Sequence, residues 1–277
     1  MPTSLRLLVI VLLAIASSVY LSNRQSPPTP VKAQAITCPQ ATGARIELSG
    51  TGGLLTAEDE TQAPNRFATT DKCIIGSKAA VPQFSIPTFD EMKSLYFDQS
   101  KLTSKITIPG PATQGTLQAQ FGSGGQKLFF VDGDLNIDGN LFPSFKAGDV
   151  VAIFVKGNLS LGSNINYTFG NSGILFIVGQ DIKILNTVTA VNAFMATHGQ
   201  FCSSWDNSSN SCQTSNQPLT INGSVVSLSA DSAKKPQFVR SLVNNSQPAE
   251  TINYQPKYLV ILKGLIARDL SVWNEVQ

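Results

Sequence analysis

VDGDLNI at residues 131–137, VKGNLSL at 155–161 and VGQDIKI at 178–184 are one motif written three times, and INGSVVS at 221–227 reads as a fourth, looser copy. Their glycines, Gly133, Gly157, Gly179 and Gly223, stand 24, 22 and 44 residues apart, and Gly199 in MATHGQF divides the last gap into 20 and 24. The period is about 22 residues. Short apolar runs precede the corners at 128–131, 150–155, 174–178 and 193–196. Beyond the glycine, Leu135 and Ile137 alternate with Asp134, Asn136 and Asp138, and Leu159 and Leu161 alternate with Asn158 and Ser160. That alternation turns one face inward. The third copy inserts Gln180, and the fourth loses clean alternation.

A unit this short, with two or three strands, no helix and a glycine corner, cannot bury its own apolar face. It buries that face by stacking on copies of itself. Propeller blades need roughly 40 residues each, and a sandwich does not repeat its corner at this spacing. The expected fold is therefore all-β: a right-handed, single-stranded parallel β-helix of five or six rungs, a rod roughly 25 to 30 Å long. Aligning the corners stacks Asp134, Asn158, Asp181 and Ser224. Stacked Asp and Asn side chains serve turn backbone, and the alternative is a carbohydrate or calcium groove along that edge.

Both ends of such a stack need covering. Thr88-Phe89-Asp90-Glu91 reads as a capping box opening a helix, FDEMKSLYFDQSK, with Met92, Leu95 and Tyr96 on one side. After the repeats, QFVRSLV reads as one more strand. Pro256 then fits the first position of a helix whose Tyr258, Leu262, Leu265 and Ile266 share a face, with a strand through YLVIL as the competing reading. The expected organisation is an export or anchor segment with a Pro-rich linker at 1–35, an extension with a capping helix at 36–114, the β-helix at 115–246 and a C-terminal cap at 247–277.

Arg6 precedes the apolar stretch Leu7 to Leu21. A hydrophobic helix apolar all round at the N-terminus reads as a signal peptide, with Ala33-Gln34-Ala35 as a cleavage site, or as an uncleaved membrane anchor followed by a Pro-rich stalk. Either reading places the rest outside the membrane. Residues 36–277 carry 17 basic and 18 acidic side chains, and only Lys156, Asp181, Lys183 and Asp206 are charged between Val150 and Ala230. A basic nucleic-acid footprint is excluded. Of the four cysteines, Cys202 and Cys212 close a polar loop, CSSWDNSSNSC, and Cys38 with Cys73 is the other local pairing. No CxxC occurs, and His198, the one histidine, has no ligand pair beside it, which argues against zinc.

The exported N-terminus, IPTFDEMKSLYF at 86–97, the VDGDLNI-type repeats, LTINGSVVSL at 219–228 and PAETINYQPKYLVILKGLIARDLSVWNEV at 248–276 together resemble a group of cell-surface β-helix proteins from uncultured bacterial lineages. The resemblance covers Lys72 to Gln277, and the tail is its most specific part. More distantly, the rungs and AETINY are similar to β-helical regions of pilus-associated proteins, and the rungs alone to bactofilin-like proteins. The pilin-type N-terminal signature itself does not occur. The resemblance implies a surface location, and it carries no functional residues over.

For chemistry, β-helical lyases and hydrolases of polysaccharides place paired acids, or Asp with Lys and Arg, on one groove. The sequence shows neither arrangement. Asp132, Asp134 and Asp138 lie close together, but the sixth position of that loop, glycine in an EF-hand, is Ile137. His198 has no nucleophile motif near it and reads as a hydrogen-bonded corner histidine. Neither GxSxG nor a phosphate-binding loop occurs, and no cofactor is implied. The candidate ligand edge is Asp132, Asp134, Asn158 and the loop aromatic Trp205. The expected function is a structural or adhesive, non-catalytic envelope protein whose partners are the membrane, glycans or envelope proteins. A polysaccharide-active enzyme is the alternative.

Overall fold

The computed structural model describes the backbone of residues 45–49, 53–56, 73–75 and 77–80, and then residues 87–261 except 101, 103, 169, 230, 232–233, 235, 244–246 and 259. Among the described residues the first elements are four short strands, β1 (Arg45–Ser49), β2 (Gly53–Thr56), β3 (Cys73–Ile75) and β4 (Ser77–Ala80). Helix α1 (Phe89–Lys93) runs on into a π-helical turn, Ser94–Asp98, and is followed by β5 (Lys105–Pro109), β6 (Ala112–Thr113) and helix α2 (Gln114–Phe121). The repeats supply β7 (Gln126–Asp132), β8 (Leu135–Ile137), β9 (Val150–Val155), β10 (Leu159–Leu161), β11 (Gly173–Val178) and β12 (Ile182–Leu185). Then come β13 (Ala190–Val191), β14 (Phe194–Thr197), β15 (Phe201–Asp206), β16 (Ser211–Cys212), β17 (Leu219–Asn222), β18 (Ser224–Ser227) and β19 (Glu250–Asn253).

These strands coil into a parallel β-solenoid of about four turns, fewer than the five or six expected. The turns β11-β12-β13 and β14-β15-β17 have three strands each, whereas the earlier turns replace the third strand with α2, a loop or a single bridge at Ile165, and the last turn replaces its second strand with the Cys202–Gln237 bridge. The first face runs β5-β7-β9-β11-β14-β18, and the second runs β6-β8-β10-β12-β15 and closes on the antiparallel β16. The third runs β13-β17-β19-β1-β3.

Register stacks like on like. Phe129, Ile153, Phe176 and Met195 form one inward column of the first face, and Leu135, Leu159, Ile182 and Phe201 form one on the second. The first face also has an outer apolar surface, Leu128, Phe130, Ala152, Phe154, Leu175 and Ile177, which explains why its strands are unbroken apolar runs. α1 and its π turn cover that surface with Phe89, Met92, Tyr96 and Phe97. Its capping box forms as expected: Glu91 N–H donates to the Thr88 hydroxyl at 3.3 Å, and Thr88 N–H donates back to Glu91 Oε2 at 2.8 Å. The helix therefore covers a side of the rod, where the sequence reading placed it at an end. The physical reason is area: an entire lateral face was apolar and needed cover.

The N-terminal end is closed instead by α2, whose Leu117 and Phe121 plug the interior beneath Phe142. Residues 257–258 and 260–261 are helical, in line with the helix reading of that segment, and Tyr258 also packs on the outer side of the first face. QFVRSLV contributes one parallel bridge, Cys202 with Gln237, instead of a strand, and buries Phe238.

Beyond β19 the third face continues with the early strands β1 and β3. β1 pairs in parallel with β19, Ile46 opposite Glu250 and Ser49 opposite Asn253, and β3 pairs on β1. Here the interior turns polar. Arg240, wholly buried, donates from Nε to Ser203 O at 2.8 Å and from its terminal nitrogens to the carbonyls of Leu185, Gln217 and Pro218. Glu250 accepts from the Ser203 hydroxyl at 2.7 Å and from Arg240 N–H at 2.9 Å. Burial lowers the Arg240 pKa to about 10, against an opposing pull from Glu250.

Candidate functional site

The corner between the first and second faces is built by Gly133, Gly157, Gly179 and Gly199. Glycine is required there by close approach. A Cβ on Gly157 would lie 2.9 Å from Asp134 N, and one on Gly179 would lie 2.5 Å from Lys156 O. With the backbones this near, the residue after the corner can reach the next turn. Asp134 Oδ1 accepts Asn158 N–H at 2.7 Å, Asn158 Oδ1 accepts Asp181 N–H at 3.1 Å, and Asp181 Oδ1 accepts Gln200 N–H at 2.8 Å. This ladder consumes the polar stack in holding turn to turn.

Ser224 is not its fourth member. It opens β18 on the first face opposite Phe194, and Gln200 takes the position the sequence reading gave it. Gly223 lies at a different corner, third face to first, where an added Cβ would meet the Ala193 carbonyl. The misassignment has a plain cause: both corners demand glycine for the same steric reason, and a glycine does not say which corner it makes.

The candidate edge is thus brought together in part. Asp134 and Asn158 are bonded to one another. Asp132, beside them, pairs with Lys156 Nζ at 2.7 Å on the surface, and that carboxylate raises the Lys156 pKa through its hydrogen bond and charge. Trp205 belongs elsewhere. It stands four residues past the start of β15, roughly 13 Å along the strand from the corner, opposite Leu185 and Cys212. Lys183 Nζ lies 4.2 Å over its ring.

The Cys202–Cys212 disulfide is formed and ties β16 to β15. It marks a non-reducing environment. Between the cysteines, Asp206 accepts from Ser208 N–H and both the Ser208 and Ser209 hydroxyls, which lowers its pKa. The Cys38–Cys73 pairing and the apolar segment at 7–21 lie outside the described residues. Among the described residues no helix is long and apolar enough to cross a membrane.

His198 stands immediately before Gly199 at its corner and is a hydrogen-bonding residue. Its Nε2 is 2.9 Å from Pro87 O and its Nδ1 3.4 Å from Val178 O, with Phe89 edge-on at 6.2 Å. It fastens the start of α1 to the rod. Among the described residues no group of three or more acidic, histidine or cysteine side chains is placed to share a metal ion, the Asp132, Asp134 and Asp138 loop included.

Sequence reading missed a second ladder at the corner from the third face to the first. Asn222 Nδ2 donates to Asn192 Oδ1 at 2.8 Å, and Asn253 Nδ2 donates to Asn222 Oδ1 at 2.9 Å. Its signal is an Ile or Val followed by Asn, at Ile165-Asn166, Val191-Asn192, Ile221-Asn222 and Ile252-Asn253, spaced by 26, 30 and 31 residues. Those spacings were hidden by the stronger glycine period. Comparison of the chain with family models, curated proteins and solved structures finds no match.

Proposed function

We propose that the chain is a non-catalytic structural or adhesive module of the cell envelope, a rigid right-handed rod held outside the membrane by its N-terminal segment or released from it. One observation carries this reading: the carboxylates and amides along the glycine corner are committed, turn by turn, to the backbone of the next turn. An acid or base that works on a substrate must be free to exchange a proton with it. Here the corner oxygens already accept structural N–H groups, so their chemistry is spent on stacking. The disulfide supports an exterior location.

The test is purified protein against polyuronates and neutral glycans, with product formation and binding measured separately. Binding or inertness without turnover is the expected result. Turnover abolished by Asp134→Ala or His198→Ala would overturn the proposal in favour of a polysaccharide-active, pectate-lyase-like enzyme.

A further inference from the structure

The third face is incomplete near the N-terminal end of the rod. Its first contribution is Ile165, which makes a single bridge to Val191, and the turn before it passes this face as a loop carrying Leu141, Phe142 and Phe145. The notch that results is lined by Asn140, Phe145, Asn166 and Tyr167, with Leu141 and Ile174 in its floor. Its enclosed space is about 10 Å³, room for one water. A ligand would therefore lie across it as on a platform.

The asparagine column points to what that ligand is. Asn166 stands one residue past Ile165, as Asn192 does past Val191, and so occupies the first position of the ladder. Yet Asn192 Nδ2 donates to Tyr167 O at 2.9 Å instead of to the Asn166 side chain. The Asn166 carboxamide is left exposed at the rim of the notch, its donor and acceptor both without a protein partner among the described residues. Next to it, Phe145 and Tyr167 form a half-buried edge-to-face pair with centroids 5.0 Å apart. The pair is braced: Phe142 stacks on Phe145 at 5.9 Å, and the Tyr167 hydroxyl is 2.5 Å from that of Tyr258.

An amide offering a donor and an acceptor matches two vicinal hydroxyls, and the Phe145 ring matches the apolar C–H face of a sugar ring, with Tyr167 beside it carrying Lys257 Nζ 4.9 Å over its own ring. The open edge of the third face here is a single bridge at Ile165, too short to seat a peptide strand, and the notch has room for one water and not for a peptide side chain. We propose that Asn166, Phe145 and Tyr167 form a binding platform for a hexopyranose residue of a glycan chain. The choice of a glycan as the source rests on the envelope reading above; the geometry of the platform does not.

The experiment titrates the full chain with cello-, chito-, manno- and xylo-tetraose, following binding by ligand-observed NMR and calorimetry. At least one probe is expected to bind, about five- to tenfold more weakly to Asn166→Ala, the loss typical of one hydrogen-bonding group. Phe145→Ala should abolish binding, and Thr88→Ala, at the cap of α1, should leave it unchanged. Asn166 is exposed, so its variant keeps the wild-type melting temperature and reads recognition alone. No binding by any probe, or binding insensitive to Asn166→Ala, overturns the platform. Glycan turnover in the same samples would instead overturn the non-catalytic reading, so the two failures are separable.

Discussion

Asp134 Oδ1 accepts the backbone N–H of Asn158, 24 residues later in sequence and one turn further up the rod, at 2.7 Å. The bond is possible because Gly157 lets the two corners approach until no Cβ fits between them. Gly157→Ala is therefore expected to be among the most damaging small substitutions in the chain. It forces apart two backbones that are already paired, at a cost of about 1–3 kcal/mol. Pairing it with Asp134→Ala should recover only part of the loss, because Asp134 N stays 2.9 Å from the added methyl. Urea unfolding of the two variants checks both statements.

Removing the lateral cover should cost more than removing its cap. Phe97 packs on Phe130 at 5.8 Å and on Phe154 at 6.0 Å. Phe97→Ala is expected to destabilise by about 3–5 kcal/mol and to expose the outer apolar surface of the first face to a hydrophobic dye. Thr88→Ala, which deletes only the capping box, should cost about 1 kcal/mol.

Stability should fall at alkaline pH because of Tyr167 and Tyr258. Burial raises the pKa of both hydroxyls, and for Tyr258 the neighbouring Tyr167 adds to the effect. Their folded pKa values lie above the ordinary 10.0 at which the unfolded chain ionises. The folded state thus holds its protons longer, and this stabilisation is complete below pH 10 and lost as pH climbs past it. Unfolding free energies measured across that range should decline for the wild type and less steeply for a Tyr167→Phe, Tyr258→Phe double variant.

Arg240→Ala leaves Glu250 as a buried carboxylate, removes the guanidinium donors from the carbonyls of Ser203, Gln217 and Pro218, and should cost about 3–5 kcal/mol. Arg240→Met combined with Glu250→Gln removes both charges together. The double change is expected to cost less than the sum of its parts, which a double-mutant cycle would measure.

Opening Cys202–Cys212 should weaken the end of the second face, since the bridge closes a loop with a sequence separation of 10 and secures β16 against β15. A loss of about 2–3 kcal/mol is expected on reduction or in a Cys202→Ser, Cys212→Ser variant. Trp205, opposite Cys212, should report it as a change in fluorescence.

The repeating unit is legible in short stretches of sequence. The spacing of Gly133, Gly157, Gly179 and Gly199, the alternation through Leu135 and Ile137, the Cys202–Cys212 loop and the Thr88 capping box are each contained in a few neighbouring residues. Local sterics and hydrogen bonding dictate what those residues can do. The assembled fold alone settles which surface α1 covers, where β1 and β3 dock, that Arg240 could be buried and that Asn166 falls out of its column. A helix's apolar stripe records that it must be covered, without recording by what. Likewise β1 carries nothing that names β19 as its partner, because parallel pairing is made by backbone groups that every residue shares and is selected only when the whole stack is in place.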